Sequence, residues 1–271
     1  MSLFAVSRGE GTPVLLLHGF GGDHRNLLPL DPVFDGGAWR RVYVDLPGMG
    51  RSVAGPEIDG TDAVVEAVAE FVDAAFGDLP FAIVGYSFGG MIARGLAARY
   101  GDRVLGLALL CAVFVAERGD RVLPAPAVLE SDPALLATLD AHDAREYAQT
   151  AVVQSAQNWA LFRDSLLPGT RLRDAGAMQR ISSAYALAGE PEAAGIACAA
   201  PTTIITGRFD HVVGYRDALD ALPAYPRSSF VLLDRAGHNA HIDQPVRTAA
   251  ILAEWLDRVV RSNDSRAITP S

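Results

Sequence analysis

The sequence predicts an α/β fold: a mostly parallel sheet covered by helices on both faces, with a helical segment inserted between two of its strands. Three observations predict it. Short, uncharged apolar runs alternate with stretches of helical periodicity, which is the pattern of strands buried on both faces. One such run, residues 82–84, passes through a Gly/Ser turn at residues 85–89 directly into a helix. From residue 116 to residue 198 the alternation stops, and a strand-free stretch rich in Ala, Leu, Asp and Arg takes its place.

The elements follow in order. Leu3–Val6 reads as a first edge strand, ended by Arg8-Gly9-Glu10-Gly11. Val14–Leu17 is a fully apolar strand that breaks at His18-Gly19-Phe20-Gly21-Gly22-Asp23, and residues 24–30 read as a short helix. Arg41–Asp45 is the next strand, with Leu46–Ser52 as its exit loop. Asp62–Phe76 is a helix, because Val64, Val68, Phe71, Val72 and Phe76 recur at helical spacing. Thr61 is its expected N-cap and Gly77 its stop. Ala82–Val84 is a strand, Met91–Tyr100 a helix and Val104–Cys111 another buried strand. Within 116–198, Asp132-Pro133, Pro168-Gly169 and Glu190-Pro191 punctuate helical stretches, of which Asp143–Phe162 is the clearest. Thr202–Thr206 and Ser229–Leu233 are the last strands, and Tyr215–Leu222 is a helix between them. Gln244–Arg261 closes the chain as a helix with Val246, Ala250, Leu252, Trp255, Leu256 and Val259 inward, and Ser262–Ser271 reads as a frayed polar end. The expected division is a core of 1–115 and 199–271 carrying a helical lid at 116–198.

Composition narrows the function. Half of the 271 residues are hydrophobic, enough for one large α/β domain or two small ones. The net charge is −9 without a basic tract, which argues against nucleic acid and anionic membranes as partners. No apolar run approaches the ~20 residues of a bilayer span, and no basic leader precedes an apolar block. Cys111 and Cys198 sit in apolar surroundings and read as buried thiols of a cytoplasmic protein. Gly19-Phe20-Gly21 after a strand half imitates a dinucleotide fingerprint, but His24 stands at the third glycine position, so no cofactor is expected. No metal is expected either, and the oligomeric state, monomer or homodimer, stays open.

The chemistry centres on Gly85-Tyr86-Ser87-Phe88-Gly89, a G-x-S-x-G pattern between strand and helix. A sharp turn there lifts a serine hydroxyl above the sheet edge, and the helix N-terminus offers free N–H groups to a developing anion. A serine hydroxyl is a poor nucleophile without a base, and the base needs an orienting acid. Of six histidines, His238 follows Gly237 at the end of the last strand, above the same sheet edge, with His241 as the fallback base. His18 reads as a prop for its own turn. Asp210, just past the strand at 202–206, is the acid; Asp45 and Asp234 are the alternatives.

The order Ser87, Asp210, His238 is the chain order of α/β-hydrolases. The chain resembles that superfamily over nearly its whole length, through His18–Gly22, Asp45–Ser52, Gly85–Gly90, Gly207–Asp210 and Gly237-His238. The resemblance implies an oxyanion hole formed by the backbone N–H groups of Phe20 and Phe88. It implies a serine-dependent hydrolase of a small ester or thioester, carboxylesterase-like, acting through an acyl-enzyme. A serine nucleophile argues against dehalogenase and epoxide hydrolase chemistry, which would use Asp. C–C hydrolases of the superfamily carry Trp after the histidine, where this chain has Asn239. Gly237-His-Asn-Ala-His241, with His18-Gly-Phe and Val44–Gly48, is also similar to the menaquinone-pathway SHCHC synthases, lyases that use the same three residue types on an anionic substrate. Those enzymes carry Arg directly after the Gly-Gly of the serine motif; this chain has Met91, with Arg94 the nearest cation on the helix. A non-catalytic ligand-binding member of the fold is the remaining alternative. The substrate pocket is expected to draw on Met91, Trp159 and Phe162, with Leu161 and Phe114 as further walls.

Overall fold

The computed structural model describes residues 2–268, the side chains of the last four excepted. Seven strands form one sheet: β1 (Ala5–Arg8), β2 (Thr12–Leu17), β3 (Trp39–Val44), β4 (Phe81–Tyr86), β5 (Val104–Leu110), β6 (Thr202–Gly207) and β7 (Ser228–Leu233). Their order is β1-β3-β2-β4-β5-β6-β7. Only β1 is antiparallel, against β3; every other pair is parallel. Such crossovers need helices on both faces, which explains why β4, β5 and β6 are buried at every position. The chain turns outward from β2 to β3, then returns to place β4 on the other flank of β2. That reversal opens a crevice above the carboxyl ends of β2 and β4.

The helices are α1 (Thr61–Phe76), α2 (Phe88–Tyr100), α3 (Pro133–Thr138), α4 (Ala141–Thr150), α5 (Ala156–Ser165), α6 (Leu167–Thr170), α7 (Ala175–Ser183), α8 (Arg216–Asp220), α9 (Ala240–Asp243) and α10 (Pro245–Ile268). None of the described helices is long and apolar enough to cross a membrane. Helices α3 to α7 occupy the segment between β5 and β6, where the described residues form no strand beyond a single bridge, Glu130 to Val153.

Several local expectations are corrected. The first strand is shifted to Ala5–Arg8, where it pairs with Arg41–Val44. Residues 24–34 form a 3-10 helix, because Pro29 and Pro32 remove donors that an α-helix would need. Gly60, not Thr61, caps α1, and the Thr61 hydroxyl instead donates to Tyr185 O (2.7 Å). Asp143–Phe162 is two helices. The break at residues 151–155 arises because the Val152 and Val153 N–H groups donate to the Asp243 carboxylate, while Ser155 caps α5 by accepting from Asn158 N. The helix expected over Tyr215–Leu222 is only Arg216–Asp220. In α10 the inward stripe is Thr248, Leu252, Trp255, Leu256 and Val259. Val246, 78% exposed, and Ala250 fall off it. The helix also continues through Ile268 where a frayed end was expected, and residues 269–271 lie outside the described residues. Both cysteines are buried thiols outside any disulfide, as expected.

Candidate active site

The serine turn is built from four directions. Ser87 directly follows β4 with φ 54° and ψ −116°, outside the regions an L-residue favours, and it is the N-cap of α2. Hydrogen bonds over-determine this conformation. Ser87 N donates to Leu110 O at 3.0 Å, while Ser87 O accepts from Gly90 N at 2.9 Å and Val113 N at 3.1 Å. Close approach explains the flanking glycines: a Cβ on Gly85 would lie 2.5 Å from Gly89 O, and one on Gly89 would lie 2.3 Å from Leu17 O.

Ser87, His238 and Asp210 meet at the bottom of the crevice. Ser87 Oγ lies 2.9 Å from His238 Nε2, and His238 Nδ1 lies 3.0 Å from Asp210 Oδ2. All three are buried, Asp210 completely. Asp210 Oδ1 accepts from Val212 N (2.9 Å) and Val213 N (3.0 Å). Burial alone would raise the Asp210 pKa, but the His238 charge and hydrogen bond and these two N–H groups outweigh it and hold it below the ordinary carboxylate value. The carboxylate therefore stays ionised and fixes the imidazole with its proton on Nδ1. That leaves Nε2 free to accept the serine proton.

The other candidates for base and acid lie elsewhere. His241 is fully buried edge-on against Tyr86 (4.9 Å between ring centres), and burial, with the His238 charge nearby, lowers its pKa to about 3. His18 props the β2 exit, with Nδ1 2.7 Å from Gly19 O and Nε2 accepting from Leu46 N at 2.9 Å. Asp45 binds His24 and Arg51 N, and Asp234 pairs with Arg208 at the surface. Ligand atoms of Cys111, Asp210 and His238 lie within 4.8 Å of one another, as do those of Asp23, His24 and Asp45. Asp210, His238, His24 and Asp45 are already hydrogen-bonded as described, and Asp23 holds Arg25.

Above Ser87 is a cavity of about 430 Å³. Its floor and near wall are Gly19–Gly22, Tyr86, Ser87 and His238, and its far wall comes from the inserted helices through Glu146, Gln149, Thr150, Phe162 and Leu166. Among the described residues the backbone N–H groups of Phe20, in the turn after β2, and Phe88, at the first position of α2, have no acceptor within the protein. The Phe20 and Phe88 rings meet edge to face at 5.3 Å, and Tyr185 packs on both.

Of the expected pocket residues, Phe162 lines this cavity and Met91 and Trp159 do not. Met91 is 1% exposed because α2 turns it into the core beneath the serine. Trp159 packs on Tyr147 and Phe162 inside the helical insert. Phe114 lies under the Arg94 guanidinium and lines a separate cleft. Arg94 itself is committed to Glu190, Glu192 and Val113 O. Sequence reasoning missed Tyr185, Glu146 and Thr150, whose spacing carried no motif.

The comparisons with known proteins cover the same region. Residues 12–245 match the family model of the alpha/beta hydrolase fold. A 2-succinyl-6-hydroxy-2,4-cyclohexadiene-1-carboxylate synthase from Escherichia coli (strain SMS-3-5 / SECEC) is 32% identical over 259 residues, covering 91% of this chain and 94% of that one. A pimeloyl-[acyl-carrier protein] methyl ester esterase from Chromobacterium violaceum is 38% identical over 121 residues, 41% of each chain. Among solved structures, an alpha/beta superfamily hydrolase from Oenococcus oeni PSU-1 superposes with a TM-score of 0.88 at 27% identity, covering 96% of this chain and 99% of that one.

Proposed function

This chain belongs to the alpha/beta hydrolase fold family, and on that premise we propose that it hydrolyses a small, uncharged acyl ester or thioester through Ser87, His238 and Asp210. The observation that carries the proposal is the unbroken hydrogen-bonded chain from the Ser87 hydroxyl through His238 to Asp210 at the floor of the cavity. Ser87 Oγ attacks the acyl carbon as His238 Nε2 takes its proton. The carbonyl oxygen gathers charge and is met by the Phe20 and Phe88 N–H groups, each such donor being worth about 10²–10³ in rate. His238 then returns the proton to the leaving alcohol or thiol. Water attacks the acyl-enzyme by the same route in reverse, again with His238 as base. The helical insert at 116–198 acts as the lid, keeping solvent from the reacting carbonyl.

A second reading, lyase chemistry of the kind named for the Escherichia coli relative, is favoured by identity over 91% of the chain. The serine motif speaks for the ester instead: Met91 follows Gly89-Gly90, where SHCHC synthases carry Arg. That relative's product name contains a carboxylate and a succinyl group. Among the described residues one guanidinium lines the cavity, that of Arg121; it donates to three carbonyl oxygens, those of Val115, Ala116 and Val212, which orient it without offsetting its charge. The nearby Arg173 guanidinium stands beside Gly21 on an exposed residue, and the acid on the wall, Glu146, would repel a carboxylate. The test is turnover of p-nitrophenyl esters of graded acyl length, alongside the lyase substrate. Ser87→Ala should abolish ester hydrolysis, and full activity without Ser87, or lyase turnover exceeding ester turnover, would refute the reading.

A further inference from the structure

The His238 loop is held by more than its own strand. Asp243, the last residue of α9, accepts from Gly237 N at 2.9 Å through Oδ2. Through Oδ1 it accepts from Val152 N (3.2 Å) and Val153 N (3.3 Å), in the break between α4 and α5. One carboxylate thus joins the residue before the proposed base to the inserted segment about 90 positions away in the chain. On the other side of His238, the Asn239 amide accepts from Tyr86 OH (2.5 Å) and donates to Thr150 Oγ1 (2.8 Å), a residue of the cavity wall. The contact is tight, since a Cβ on Gly237 would lie 2.8 Å from Val152 Cγ2.

From this geometry, and resting on the ester-hydrolase reading, we infer that Asp243 is a positioning residue for His238: it ties the stretch just after the Thr150 wall to the loop that carries the base, so that the insert sets the imidazole. Burial pushes the Asp243 carboxyl up to about 6 in spite of its three N–H donors, and the negative Asp210 adds to the rise. Tyr147 on α4 and Tyr86 on β4 are the other titratable groups that sense its charge.

Asp243→Asn separates the roles. An amide has one acceptor, so it can keep Gly237 or the Val152–Val153 pair but not both, and its NH₂ then faces an N–H. The experiment measures kcat and KM on p-nitrophenyl butyrate, with kcat normalised to the fraction of Ser87 that a fluorophosphonate titrates. Wild-type titration and the Ser87→Ala control establish the underlying hydrolase reading separately. The expected result is at least a tenfold fall in kcat per titrated site with KM within threefold. Hydrogen exchange should also quicken in both the 150–153 and 235–238 peptides. A fall smaller than tenfold, or a loss carried by KM, or unchanged exchange in either peptide, overturns the inference. Where Asp243→Asn gives no folded protein, Asp243→Ser is measured the same way, its shorter side chain admitting solvent to the same donors. If neither variant folds, Asp243 is structural and the inference falls.

Discussion

Replacing Asp210 by Asn tests the proposed mechanism most sharply, because the structure dictates how the new amide must sit. In the native protein Oδ1 accepts from Val212 N and Val213 N, and Oδ2 faces His238 Nδ1. An asparagine must keep its oxygen toward the two backbone donors, since turning the NH₂ there would leave two buried N–H groups without acceptors, at ~1–3 kcal/mol each. Its NH₂ therefore points at His238 Nδ1, which can only accept. The imidazole proton moves to Nε2, where it faces the Ser87 hydroxyl, and the base can no longer take the serine proton. The equivalent tautomer trap in another serine hydrolase costs about 10⁴ in kcat, roughly 5 kcal/mol of barrier. The same loss is expected here. The assay is steady-state hydrolysis of p-nitrophenyl butyrate at neutral pH, with thermal unfolding in parallel. KM and Tm should move little, because packing and the Val212 and Val213 hydrogen bonds persist. An Asp210→Asn protein retaining more than a tenth of wild-type kcat would refute the tautomer argument. So would one whose activity loss tracked its loss of folded protein.

Other outcomes follow from the same geometry. His238→Ala should lose kcat by on the order of 10⁴-fold or more. His241→Ala should keep kcat within about tenfold and lower Tm, since His241 packs on Tyr86 without reaching the hydroxyl; the ratio of the two losses checks the choice of base. Gly89→Ala would drive a methyl to 2.3 Å from Leu17 O, and should cost at least ~3 kcal/mol of stability by overpacking, read from the urea midpoint. Glu146→Lys should shift relative kcat/KM toward a p-nitrophenyl hemisuccinate over the butyrate by about tenfold, and an unchanged ratio would remove Glu146 from the substrate's surroundings. Asp243 sets a pH dependence of stability. Its folded value of about 6 lies above the 3.8 of an ordinary Asp in the unfolded chain, so the folded state is the stronger proton binder between those values. The group's contribution is full below pH 4 and is lost as pH rises through 6, a slope that should vanish in Asp243→Asn when urea midpoints at pH 4.5 and 7 are compared.

The alternation of apolar runs with helical periods was enough to reveal the core, because strands buried on both faces can carry no charge and covering helices must repeat near 3.6 residues. Ser87 was legible for a related reason: a turn that tight admits only a particular set of small residues around it, and they are contiguous in the chain. The chain order of Ser87, Asp210 and His238 then rested on where strands end, which is also local information. Apart from Phe162, the cavity wall was not legible. Met91 and Trp159 are apolar residues at helical spacing, and periodicity cannot say whether the side buried faces a pocket or a core. The break at residues 151–155 has no Pro or Gly to mark it; it exists because a carboxylate at position 243 competes for the Val152 and Val153 N–H groups. Glu146, Thr150, Tyr185 and Asp243 acquire their surroundings only when the insert folds back over the sheet. Contacts inside one strand, turn or helix are written in neighbouring residues, whereas contacts across 90 positions are decided by how the helices pack.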